Sequence, residues 1–212
     1  MLVSRKIEHF CRGRQYSPLA WRHKGSTLIE VLVALLLLSF TLLGIAGLLG
    51  ATTRYQLGVD SRSKITLIYN DLTGRVRTNW TETAAYAYTA SWSAQQAAIP
   101  ARGTNCSGST SCDPADRAAD DVWETRSAVR TALPQGSLLI TGDAANGLTT
   151  TFLWFDKDNL NPTADDPSAL KQSNICEDIA SPTSVQLHTC CPNAAGVGST
   201  LGVRCLNFSF IR

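Results

Sequence analysis

Between Gly25 and Gly50 the chain reads GSTLIEVLVALLLLSFTLLGIAGLLG, a run with a single charge, Glu30, and no other until Arg54. Its apolar part, Val31 to Leu49, spans 19 residues, close to the ~20 that a helix needs to cross a hydrocarbon core. A charge inside such a helix costs roughly 2.5–3.5 kcal/mol, so Glu30 calls for a reason. Arg5, Lys6, Arg12, Arg14, Arg22 and Lys24 precede the run, with Glu8 the only acid among them. The positive-inside rule keeps such a flank cytoplasmic and sends the chain beyond about Leu49 across the inner membrane. An ordinary secretory signal would be cut after its apolar segment, near Ala46–Ala51. That reading leaves Glu30 unexplained.

A basic flank, a Gly, then STLIEVLVAL resembles the N-terminus of type IV prepilins. The resemblance implies that a membrane prepilin peptidase cuts on the cytoplasmic side after Gly25 and methylates the new N-terminus at Ser26. The apolar segment would stay on the mature protein as its membrane anchor and as the packed centre of a filament. Glu30 would face the α-amino group of a neighbouring subunit, since a buried carboxylate is tolerated when an opposite charge compensates it. One polar residue in an apolar bundle can then set the register of docking. Gly47 falls near the place where major pilins often carry a helix-weakening proline.

Removal of Met1–Gly25 would leave 187 residues with 13 basic and 16 acidic side chains, a formal net charge of −3. No basic surface remains to suggest nucleic-acid binding. Cys11 lies in the leader, whereas Cys106, Cys112, Cys176, Cys190, Cys191 and Cys205 lie beyond the membrane segment. An even number on the oxidising side of a membrane reads as disulfides. No C-x-x-C pair is present and His188 is the sole histidine outside the leader, so no metal site or cofactor is expected. Cys106 and Cys112 enclose a five-residue loop flexible enough for a local bond. Adjacent Cys190 and Cys191 are expected to pair outward with Cys176 and Cys205; spacing leaves open which takes which.

The expected organisation is a leader over 1–25, an assembly helix over 26–50, its amphipathic continuation over 51–79 and a periplasmic head over 80–212. Ile65, Ile68, Leu72 and Val76 recur at helical spacing, and Asp60–Lys64 and Asp71–Arg75 are i,i+4 pairs. Thr81 to Ala101 reads as a weakly ordered connection. Asp113 followed by Pro114 starts a helix that carries Ala118, Val122 and Trp123 on one side and ends at Pro134–Gly136. Ser137–Thr141 and Leu148–Phe155 read as a hairpin, and Ser184–His188 and Val203–Ile211 as further strands. The fold class is α+β: a long N-terminal helix on a small antiparallel sheet, which is also the pilin plan.

Asp156, Asp158, Asp165 and Asp166 invite a calcium reading, but Leu160 and Asn161 stand where that loop needs an oxygen ligand and a glycine. The sequons at Asn79 and Asn207 are short patterns that arise by chance. No phosphate loop or nucleophile elbow appears, so no catalytic residue and no enzyme activity are expected.

The apolar N-terminus, together with Cys106, Cys112 and the run Asp113-Pro-Ala-Asp-Arg-Ala-Ala-Asp120 with Trp123 behind it, is similar to the PilV family of minor pilins, the type IV pilus modification proteins. That resemblance implies a low-abundance subunit of a priming or tip complex, with other minor pilins, the major pilin and a tip adhesin as partners. Pilus assembly, twitching motility and adhesion would depend on it. A type II secretion minor pseudopilin of the I type has nearly the same N-terminus. A membrane-tethered binding domain without a filament role is the third class.

Overall fold

The computed structural model describes residues 27–107, 111–166 and 168–210. Its first element is helix α1, Leu28–Thr78, which runs unbroken through Gly44, Gly47 and Gly50. The chain divides into two units at Leu49/Gly50. In the first, the described residues from Leu28 onward are helical and exposed along their whole length. Among the described residues α1 is the one helix long and apolar enough to cross a membrane.

The second unit is the head. Within it α1 buries Ile65, Leu72 and Val76, and Ile68 packs beside them. The ion pairs Asp60–Lys64 at 2.6 Å and Asp71–Arg75 at 2.8 Å flank that stripe. Helix α3, Pro114–Ala132, is capped by Asp113, whose carboxylate accepts from the Asp116 amide at 2.7 Å. It buries Ala118, Val122 and Val129 in the same core. Trp123 lies off that buried face: its indole donates to the Pro100 carbonyl at 2.9 Å and carries the Arg102 guanidinium above it. Gly136 closes the turn after α3. A Cβ there would lie 2.2 Å from the Val129 carbonyl oxygen, so only glycine fits.

Strands β1 (Ser137–Asp143), β2 (Gly147–Phe155) and β3 (Val203–Phe210) form an antiparallel sheet in the order β1-β2-β3. Register pairs Leu138 with Phe152, and Phe152 with Leu206. Strand alternation then puts Leu138, Ile140, Leu148, Phe152, Trp154, Leu206, Phe208 and Phe210 on the face that packs on α1 and α3. Tyr69 of α1 stacks on Phe208 with ring centroids 4.4 Å apart.

The other face is covered as well, which the sequence reading did not foresee. Leu139, Leu153, Val203 and Cys205 pack there against Trp92, Cys191, Ala195 and Val197. Trp92 belongs to α2, Trp92–Gln95, and Tyr86, wholly buried, belongs to a 3₁₀ segment over Trp80–Tyr86. Thr81–Ala101 is thus ordered structure rather than a loose connection. Its aromatic side chains anchor it in both cores, and Gln95 bonds the backbone of Leu138 through both ends of its amide. Ser184–His188 is also corrected: Ser184–Thr189 is helix α4. Thr183 and Gln186 form a reciprocal capping box, and that start signal outweighs the short β-like run.

Three disulfides tie the head: Cys106–Cys112, Cys176–Cys190 and Cys191–Cys205, with Cα separations of 5.8, 5.0 and 5.3 Å. Neither sequon is available for modification. Asn79 and Asn207 are both buried, and their amide groups donate to the Pro114 carbonyl and to the Leu187 and Cys190 carbonyls.

Candidate processing and assembly site

Gly25 and Ser26 lie outside the described residues, which begin at Thr27. Thr27 starts α1. Its carbonyl accepts from the Glu30 and Val31 amides at 3.0 and 3.3 Å, and its hydroxyl accepts from the Glu30 amide at 3.4 Å. This is N-cap geometry, with the side-chain oxygen satisfying an amide that has no partner within the helix. Glu30 thereby occupies the third helical position, in the first turn, where a carboxylate is favoured by the positive end of the helix dipole. Thr27-x-x-Glu30 is the capping-box spacing, a local start signal in addition to the roles of Glu30 as a membrane charge and a docking residue.

After Glu30 comes a surface of large apolar side chains. Leu28, Ile29, Leu32, Phe40 and Leu43 are each more than 60% exposed. A soluble protein does not present so long an apolar face to water; it is built to be covered by lipid or by other helices. The helix backbone takes care of its own hydrogen bonds, and the hydroxyls of Ser39 and Thr41 donate to the Leu36 and Leu38 carbonyls at 2.7 and 2.8 Å. Polar side chains in the segment are therefore compatible with an apolar surrounding.

In the head, charge is concentrated between α1 and α3. Arg75 reaches Asp71, Asp121 and Glu124 at 2.8, 3.0 and 2.6 Å. Arg102 grips Asp120 through two nitrogens, at 2.6 and 2.8 Å, and reaches Glu124 at 2.5 Å. Asp120 also accepts the Cys106 amide at 2.9 Å, which fastens the Cys106–Cys112 loop to α3. The Arg102 guanidinium, then this amide, hold the Asp120 carboxyl below the usual carboxylate range. Tyr86 donates to Asp121 at 2.7 Å, and burial, reinforced by that carboxylate, holds its hydroxyl well above the ordinary tyrosine value. These groups bind one another, two guanidiniums among four carboxylates, and hold structure. Among the described residues no group of three or more His, Cys, Asp or Glu is placed to hold a metal ion. Asp156 instead pairs with Arg204 at 2.6 Å and accepts the Asp158 amide.

A membrane-length apolar helix with an acidic first turn, followed in one chain by a disulfide-bonded α+β head, is a pilin-like α+β fold. The family model of the prokaryotic N-terminal methylation motif matches residues 22–46. The match takes in the stretch around Gly25, Ser26 and Glu30 and supports a type IV pilin or pseudopilin. It implies processing by prepilin peptidase and assembly with pilins, and its family is structural rather than enzymatic. One N-terminal apolar helix is consistent with inner-membrane anchoring. No curated protein and no solved structure matches this chain.

Proposed function

We propose that this chain is a minor pilin of a type IV pilus, of the PilV kind, which joins other minor pilins in the complex that primes filament assembly. Prepilin peptidase cuts after Gly25 and methylates Ser26, while the head reaches the periplasm. The observation that carries the reading is Glu30: the single charge between Gly25 and Arg54, five positions after Gly25, in the first turn of a helix whose start is capped by the Thr27 hydroxyl on the Glu30 amide. Placed among neighbouring helices, that carboxylate is stable only beside a cation. The α-amino group of a neighbour's Ser26 supplies one.

The reading is tested by intact mass and N-terminal sequencing of the membrane-extracted protein, for wild type and Gly25→Ala. A mature chain that starts at a methylated Ser26, with the variant left uncut, is the expected result. An N-terminus near Ala51 overturns it. Loss of piliation and twitching in a deletion strain, restored by the wild-type gene, separates a pilus role from a secretion role.

A further inference from the structure

Beside β3, three cationic residues from three separate segments are among those lining one small cavity of about 120 Å³. They are Arg62 of α1, Lys171 of the long loop after β2, and Arg204 of β3. Trp154 forms an apolar wall, and Ser173 and Asn174 add polar groups. Among the described residues neither Arg62 nor Lys171 has a carboxylate within ion-pair distance. Arg204 Nε lies 2.6 Å from Asp156 Oδ2, yet its N–H is not aimed at an acceptor and stays buried without a hydrogen bond. Residues 50–212 hold 13 basic and 15 acidic side chains, a formal net charge of −2. A site with two cations lacking an ion-pair partner, beside the paired Arg204, runs against that background.

We infer that this cavity binds a single oxyanion group, a carboxylate or a phosphate. Like charges drawn together repel, and an anion between them converts that repulsion into attraction. Guanidinium and ammonium groups are the usual partners of such oxyanions. The volume has room for one such group and a few waters, at about 30 Å³ each, and is below the 300–1,000 Å³ of pockets that enclose drug-sized molecules. Asn174, whose side chain makes no hydrogen bond among the described residues, offers a further neutral donor.

The test uses the full chain in detergent micelles. Melting is followed as inorganic phosphate or acetate replaces chloride at constant ionic strength. A saturable rise in Tm of about 3–6 °C is expected at concentrations tenfold above Kd, and the anion that produces it identifies the group. Lys171→Gln and Arg62→Gln each abolish the rise, whereas Arg126→Gln, outside the cavity, retains it. Equilibrium dialysis with the labelled anion gives one site per chain and loses it in the same two variants, whatever their own Tm. Neither anion binding saturably, or binding that persists in both cavity variants, overturns the inference.

Discussion

Thr151 and Asn207 face each other across β2 and β3, and the Thr151 hydroxyl donates to Asn207 Oδ1 at 2.7 Å. With its oxygen held, the Asn207 amide nitrogen is turned towards the Leu187 and Cys190 carbonyls, at 2.8 and 2.9 Å, and past both sulfurs of the Cys176–Cys190 bond. One buried amide therefore joins the sheet to α4 and to the disulfide-bonded layer. Asn207→Leu strands the Thr151 hydroxyl and two carbonyls; at about 1–3 kcal/mol for each buried unsatisfied group, we expect about 3 kcal/mol of destabilisation. Thermal melting of the oxidised protein should show a Tm lowered by about 6–12 °C. An unchanged Tm would remove Asn207 from this role.

Thr150 is the opposite case. It is wholly buried on the face towards α1, between Ile140 and Phe208, and its hydroxyl has no hydrogen-bond partner among the described residues. Thr150→Val keeps the shape and removes the orphan, so a gain of about 1 kcal/mol is expected. Denaturant melts should shift their midpoint upward with an unchanged slope.

Asp120 makes acid stability specific. Its folded carboxyl titrates below the unfolded value of about 3.9. Its contribution is therefore complete above that value and is lost as pH falls from about 4 through the lower folded value. Asp120→Asn should destabilise the head at neutral pH by about 2 kcal/mol and flatten the decline of Tm with acid. A Tm–pH curve parallel to that of wild type would contradict this.

Glu30→Val should leave membrane insertion, head folding and the cut after Gly25 intact while weakening copurification with partner pilins. The measurement compares membrane level, N-terminal mass and partner pull-down. Full piliation with normal processing would refute an intersubunit role, and loss from the membrane would assign the residue to the monomer.

Much of the head was legible because its main layer is periodic. Ile65, Ile68, Leu72 and Val76 announce the buried stripe of α1, Asp113 and Pro114 announce the start of α3, and β1, β2 and β3 are β-branched, aromatic or alternating runs between turn residues. The second layer was hidden because it has no period. Trp92, Cys191, Ala195 and Val197 come from short helical turns and loops whose burial depends on contacts far along the chain. At the candidate site Glu30 stood out as a lone charge, whereas Thr27 acts through local capping. The cavity of Arg62, Lys171 and Arg204 could not be read from sequence at all, since residues 62, 171 and 204 meet only through the fold.

The adjacent cysteines carry one more consequence. Cys176–Cys190 and Cys191–Cys205 each span 14 residues. Exchanging partners between Cys190 and Cys191 would lengthen each loop by only a single residue. Loop-closure entropy hardly distinguishes the two isomers, so an oxidising compartment acting on an unfolded chain would produce both. What selects the native isomer is the folded scaffold: Asn207 beneath Cys190, and Cys191 bridged to Ile175 beside β3. Correct maturation of this head therefore requires these two bonds to close, or to be reshuffled, after the sheet has formed; a chain oxidised earlier would carry a mixture of the two isomers.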